Sequence, residues 1–227
     1  MELPRIIANW KMKGTSESLS TWVKEVAKKV PKNIQKHCLF CPPACYLSLT
    51  SDLFKKYEVE ILLGAQNLDS DNNKPLTGGI SALMLSDLGC KFVIIGHSER
   101  RLFFKEDEEI LSSKIYSALK NGLRVIYCVG ETKEEKDCGK SKEKILEQLK
   151  ILKDLKKPGY KLFPLTRPVQ EDMFQEHSDY KIKSHLYGVP QARERVIILG
   201  IRDDLVGNQA THFLKEELGN DSQSVLD

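Results

Sequence analysis

Val93-Ile94-Ile95-Gly96-His97-Ser98-Glu99 places an imidazole directly after a short apolar, β-branched run and directly before residues that suit a helix start. There the positive end of the helix dipole disfavours imidazolium and leaves a neutral, polarised N–H donor. The same spacing also suits an ordinary loop histidine bonded to a neighbouring carbonyl. Polar side chains recur at comparable places along the chain. Asn9 and Lys11 follow a first apolar run, Gln66 and Asn67 a third, and Glu131 a fifth. Cys38, Cys41 and Cys45 lie close together, which raises a metal site. A structural zinc site wants a fourth ligand, usually from a second pair, and none occurs. His37 and Cys38 are adjacent on an alternating strand and would point apart. Reduced, unliganded thiols and no bound metal are the expectation.

The elements that must position these groups follow from periodicity. Short apolar runs at Arg5–Trp10, His37–Cys41, Glu60–Gly64, Lys91–Ile95 and Arg124–Val129 read as strands. Helical spacing covers Ser16–Val30, Tyr46–Tyr57, Ser81–Leu88 and Asp107–Leu119. Lys133–Lys157 reads as mostly one long, heavily charged helix ending before Pro158-Gly159. Gln66–Gly79 is a long polar loop. Five βα units in a row imply a parallel sheet with helices outside, either an open doubly wound sheet or a closed (β/α)8 barrel. Polar groups at the ends of several strands are what a barrel active site needs. No Gly-x-Gly-x-x-Gly follows the first strand, which disfavours a dinucleotide-binding sheet.

Composition narrows the class. The 227 residues are 41% hydrophobic and 30% charged, as in a globular protein rather than a disordered one. A net charge of +3 is too small to imply nucleic acid or a membrane surface as partner. No apolar run approaches a membrane span, and Met-Glu-Leu-Pro-Arg has no signal-peptide pattern, so a cytoplasmic location is expected.

Six ordered motifs carry a resemblance. They are Asn9-Trp10-Lys11-Met12, Cys41-Pro42-Pro43, Gly64-Ala65-Gln66-Asn67, Thr77-Gly78-Gly79-Ile80-Ser81-Ala82, Gly96-His97-Ser98-Glu99-Arg100-Arg101 and Cys128-Val129-Gly130-Glu131-Thr132. In order and spacing they resemble the triosephosphate isomerase family up to about residue 156. The resemblance implies a partial (β/α)8 TIM barrel of five βα units over residues 1–157, followed by a short non-barrel α/β extension over 158–227. It implies the glycolytic interconversion of dihydroxyacetone phosphate and glyceraldehyde 3-phosphate, with no cofactor. His97 would be the neutral electrophile that polarises the substrate carbonyl; this family is itself the standard case of that role. Lys11 would bind the substrate phosphate, and Asn9 would position Lys11. Ser98 would sit beside the base, Glu99 in the surrounding charged shell, and Cys128 behind the base. Thr77 would reach into a partner subunit, so a homodimer is implied. Alternatives stay open: Ser98 as the helix cap, Cys128 as a small core residue, and Arg100 and Arg101 with Glu106 as structural ion pairs.

Departures from the family are equally legible. Gly79 stands where Thr-Gly-Glu is usual, and Lys13 where Asn is common. The family's reaction shuttles a proton between adjacent carbons through a glutamate base in a Tyr-Glu-Pro-Val-Trp pattern, followed by a lid. No such pattern occurs in the 227 residues, nor does the Gly-Gly phosphate loop, and the tryptophans are Trp10 and Trp22. From about Phe163 the chain changes character. Tyr187–Arg202 resembles the Gln-x-Arg-x-Arg segment of DNA cytosine-5 methyltransferases. By that resemblance Arg193 and Arg195, after Gln191, would lie near a flipped cytosine. The Pro-Cys nucleophile, the Glu-Asn-Val segment and the glycine-rich cofactor loop of that family are absent, so an exposed basic turn before a strand is the preferred reading and nucleic acid is not expected. The chain therefore reads as a truncated isomerase segment fused near Lys157–Phe163 to a methyltransferase-like tail. Its expected activity is impaired isomerisation; the alternatives are a methyltransferase remnant or a non-catalytic interaction fragment. Five units also leave barrel edges unpaired, an association hazard that Val196–Ile201 could relieve at one edge.

Overall fold

The computed structural model describes residues 6–70 and 74–151 in full, and the backbone of 160–164, 181–183 and 194–202. It divides into two compact units, Met1–Ile95 with Ser117–Arg124, and Gly96–Tyr116 with Val125–Asp227. The expected class is the observed one: α/β, with the five βα units of a partial (β/α)8 barrel.

In the first unit, β1 (Ile6–Asn9), β2 (Cys38–Cys41), β3 (Leu62–Ala65) and β4 (Phe92–Ile95) run parallel in chain order. Each exchange is short: Ile7 pairs with Leu39, Leu39 with Leu62, and Gly64 with Phe92. A Cβ at Gly64 would stand 2.8 Å from the Cys41 sulfur, so glycine is what lets these strands close up. Helix α1 (Ser16–Lys29) starts at Thr15, whose side chain and that of Ser18 cap each other's backbone reciprocally. Its buried face, Leu19, Val23 and Val26, packs with Phe40 of β2 and with Leu53 and Phe54 of α3 (Leu47–Lys56). Trp22 stacks on Phe40 at 4.3 Å between ring centroids, and Trp10 leans on the same ring at 5.2 Å. A short helix, α2 (Lys32–Gln35), follows Pro31 and is absent from the sequence reading. Its buried Gln35 donates to Val30 O at 2.8 Å and accepts from the Glu60 amide at 2.8 Å. That satisfies two backbone groups no strand reaches. Helix α4 (Ala82–Asp87) is capped by Ser81 and closed by Gly89 at φ +86°.

The second unit holds α5 (Ser98–Phe103), the first part of α6 (Glu108–Lys120), β5 (Arg124–Val129) from Val125 on, α7 (Lys133–Asp137) and α8 (Ser141–Leu149). The single long helix expected from Lys133 to Lys157 is two helices. Gly139 takes φ +70°, and the Lys140 amide bonds back to Glu135 O at 2.8 Å, closing α7 before α8 begins. Dense charge on both sides hides this break from periodicity; residues 152–157 lie outside the described residues. Beyond them, β6 (Tyr160–Pro164) and β7 (Lys181–Lys183) pair antiparallel with one edge of β8 (Glu194–Arg202). The other edge of β8 pairs antiparallel with β5, from Val125↔Gly200 to Val129↔Val196. The extension thus does pair with a barrel strand, in the opposite direction to a barrel neighbour.

Phe40, 3% exposed, joins both helices to the sheet of the first unit. Phe40→Ala is expected to lower the unfolding free energy by about 3–5 kcal/mol in urea titrations.

Candidate active site

In the first unit the geometry is set where β1 ends. The Trp10 amide makes the last ladder bond, to Cys41 O at 3.1 Å, and the chain then turns through Lys11 at φ +55°. A left-handed conformation costs a non-glycine residue roughly 1–2 kcal/mol and persists only where neighbours impose it. Two do. The Asn9 carboxamide oxygen accepts from the Lys11 amide at 3.0 Å. The Gln66 Nε2 donates to Lys11 O at 3.1 Å and to Cys41 O at 2.8 Å, linking the exits of β1, β2 and β3. Lys11 itself is exposed. Gln66 entered the sequence reading only as a polar residue after a strand; a cross-strand amide clamp has no local signature. Thr77 sits exposed on the loop beyond, whose base is closed by Asp69 accepting from the Ile80 amide at 2.7 Å.

In the second unit His97 is the N-cap of α5. Its Nδ1 accepts from the Glu99 amide at 3.3 Å, and its carbonyl accepts from Arg100 and Arg101. The Glu99 carboxylate stands 3.4 Å from the same nitrogen. A protonated Nδ1 would pair with that carboxylate, whereas a bare Nδ1 accepts the amide. The amide stands at the helix start and its hydrogen points at Nδ1, and the Glu99 side chain is 43% exposed. With the amide donating, Nδ1 is the acceptor, and an accepting Nδ1 leaves the ring hydrogen to Nε2. The cap is therefore His97, not Ser98, which is the exposed first residue of the helix.

Arg101 fastens the strand exit. Its Nε donates to Gly96 O at 2.9 Å, Nη2 to the Tyr127 hydroxyl at 2.9 Å, and Nη1 to Glu108 at 2.7 Å. The ion pair expected between Arg101 and Glu106 is thus made with Glu108. Arg100 does pair with Glu106, at 2.6 Å, and buried Lys114 reaches the same carboxylate oxygen at 2.6 Å. Tyr127 donates in turn to Gln148 O at 3.0 Å. Gln148, 2% exposed, clamps Gly130 through both amide atoms, at 2.8 and 3.0 Å. Cys128 is half-buried between Tyr127 and Val129, on the opposite face of β5 from Tyr127. Gln191 and Arg193 lie outside the described residues, and Arg195 is described only as a backbone position of β8. Among the described residues no group of three or more His, Cys, Asp or Glu could hold a metal ion, and Cys38, Cys41 and Cys45 form no disulfide.

Two outcomes follow from this geometry. Gly96 has φ +76°, and an added Cβ would meet Cys128 O and the Tyr127 ring at 2.9 Å. Gly96→Ala is expected to cost roughly 2–4 kcal/mol in chemical denaturation. Burial pushes the Tyr127 phenol up to about 12, against the pull of Arg101. An unfolded tyrosine ionises near 10. The folded state therefore keeps a proton that the unfolded state loses. This stabilisation is intact below about pH 10 and is lost as pH rises toward 12, with a size of about 2 kcal/mol. Denaturation midpoints across this range should fall, and fall less in Tyr127→Phe.

A family model described as triosephosphate isomerase matches residues 4–161, and one described as C-5 cytosine-specific DNA methylase matches residues 138–226. The triosephosphate isomerase of Dictyoglomus thermophilum is 43% identical over 145 residues, covering 64% of this chain and 57% of its own length. That of Polynucleobacter asymbioticus is 37% identical over 156 residues, covering 66% and 62%. That of Buchnera aphidicola subsp. Cinara cedri is 39% identical over 151 residues, covering 66% and 59%. The chain thus spans less than two thirds of the length of these curated relatives. With the six motifs in place and most of its residues inside the family match, the chain belongs to the triosephosphate isomerase family.

Proposed function

We propose that this chain is a triosephosphate-isomerase-type protein that binds a triose phosphate and polarises its carbonyl, but isomerises it poorly. The observation that carries this reading is the Glu99 amide on His97 Nδ1, which leaves Nε2–H to donate to a carbonyl or enediolate oxygen. Lys11 supplies positive charge for the phosphate, on a backbone held by Asn9 and Gln66. Ser98, Glu99 and Cys128 take the family's supporting places. Transfer of the proton between carbons needs a base, and the 227 residues hold no Tyr-Glu-Pro-Val-Trp segment to provide one.

A homodimer and a cytoplasmic location belong to the same reading. The first unit exposes Met12, Leu76, Leu83 and Met84, Met12 at 94%; in the second unit Leu102, Phe103 and Phe104 are exposed on and just after α5. Exposed large apolar side chains favour association. No helix of the described residues is long and apolar enough to cross a membrane. We place the boundary between barrel and extension at 157/158. A methyltransferase reading has the match at 138–226 in its favour, with Gln191, Arg193 and Arg195 as its residues. It lacks a nucleophile and a cofactor loop, and calorimetry with S-adenosylmethionine is expected to show no binding.

An isomerase assay on the purified chain with glyceraldehyde 3-phosphate tests the main reading. The expected rate is lower than that of a full-length relative by at least the ~10²–10⁴-fold that loss of a general base removes. Turnover near the relative's rate would contradict it.

A further inference from the structure

One buried carboxamide holds the end of β5. The ladder with β8 stops at Val129↔Val196. At the next residue, Gln148 of α8 accepts from the Gly130 amide through Oε1 at 2.8 Å and donates to the Gly130 carbonyl through Nε2 at 3.0 Å. The side chain thus offers Gly130 the donor and the acceptor that a neighbouring strand would offer. The backbone of the same residue makes a second contact with β5, where Gln148 O accepts from the Tyr127 hydroxyl at 3.0 Å. Gln148 is 2% exposed.

Gly130 does not need this clamp for solvation. It is exposed, and a Cβ added there would meet nothing within 4 Å, so water can serve its amide and carbonyl. Burying a carboxamide costs free energy that its bonds then offset, and an apolar side chain would fill the place without that cost. What the carboxamide adds is a fixed position. The Gly96–His97 turn leans on the strand end so fixed. A Cβ at Gly96 would stand 2.9 Å from Cys128 O, and Arg101 donates to Gly96 O and to the Tyr127 hydroxyl, each at 2.9 Å. The hydroxyl is shared: it accepts from Arg101 and donates to Gln148 O. A connected run of bonds therefore leads from Gln148 to the turn that aims the Glu99 amide at His97 Nδ1.

We propose that Gln148 is a positioning residue for His97. Its clamp on Gly130 and its carbonyl contact with Tyr127 hold the end of β5 where Arg101 can keep the His97 turn aligned. This rests on the reading of His97 as the electrophile; Gln148 itself touches no reacting atom. The effect has a direction. The amide bond to Nδ1, at 3.3 Å, is the longest in the run, and the Glu99 carboxylate stands 3.4 Å from the same nitrogen. A loosened turn weakens the amide bond first and passes Nδ1 to the carboxylate, which accepts from a protonated nitrogen. The ring hydrogen then moves from Nε2, where it faces a ligand carbonyl, to Nδ1, where it does not.

The test reads the His97 ring in the full chain by long-range nitrogen–proton NMR, assigned with His97→Gln. Gln148→Met keeps the length of the side chain and removes both carboxamide bonds. The ratio of Nδ1–H to Nε2–H tautomer should rise about threefold or more. Tyr127→Phe should shift the ring the same way, and the double variant should shift it by less than the two changes summed, because both act on one strand end. Full additivity would contradict that shared route. Lys150→Gln, on an exposed residue at the end of α8, should leave the ring unchanged. If Gln148→Met lowers stability but leaves the ring pattern of the unmodified chain, the inference falls and the isomerase-type reading stands. If the unmodified chain already shows imidazolium or Nδ1–H, the reading of His97 falls and the inference with it. The clamp has its own check, which needs no variant. The Gly130 amide, although its residue is exposed, should exchange with solvent about tenfold or more slower than an open amide. Unprotected exchange would overturn the clamp and the inference.

Discussion

The second unit depends on how Arg101 holds the exit to His97. One guanidinium ties the Gly96 carbonyl, the Tyr127 hydroxyl and the Glu108 carboxylate, so the turn, the strand and the next helix are fixed to one planar group. With that turn fixed, α5 begins after its cap His97, and the Glu99 amide is aimed at Nδ1. That backbone bond to Nδ1 favours the tautomer with its hydrogen on Nε2. Charge-assisted bonds of this kind are about twice as strong as neutral ones, and here the fork is largely shielded from water, with Arg101 17% exposed. A lysine could not replace it, since a single ammonium does not span three acceptors in one plane.

The first unit solves a comparable problem by different means. Lys11 must leave its strand in a left-handed turn, and a neutral amide at each side holds it there. Its core is aromatic: Trp10, Trp22, Phe40 and Phe54 form a connected set of rings between two helices and the sheet. The candidate residue thus grows directly out of the core, since Trp10, the neighbour of Lys11, is anchored by ring contact. Pre-positioned groups need little reorganisation when a ligand arrives, which is what electrostatic catalysis requires.

Much of the fold was legible in the sequence, and for a physical reason. Buried parallel strands are short β-branched and apolar runs, as in Phe92–Ile95, all of them buried, and Arg124–Val129, whose bounds match the expected ones. Helix ends marked by Pro31 and Gly89 were equally readable. What escaped was decided by tertiary contact or by a single backbone angle. Gly139 splits a charged segment whose pattern continues across it. Lys32–Gln35 is too short to show a period. Histidine is a rarer cap than serine, so Ser98 drew the role that His97 plays. The carboxylate choice of Arg101 turns on which turn of α6 faces it, and Gln66 and Gln148 act through backbone groups distant in sequence. The antiparallel direction of β8 is likewise invisible, because an apolar run such as Val196–Leu199 has no sense of direction.

On the proposed reading His97 is the electrophile, and no Tyr-Glu-Pro-Val-Trp segment occurs in the 227 residues. The claim rests most heavily on the protonation state of one ring. Long-range nitrogen–proton NMR of the His97 imidazole near neutral pH reads it directly. The account predicts the pattern of a neutral ring with its proton on Nε2 and an unprotonated Nδ1. An imidazolium pattern, or a proton on Nδ1, would contradict it.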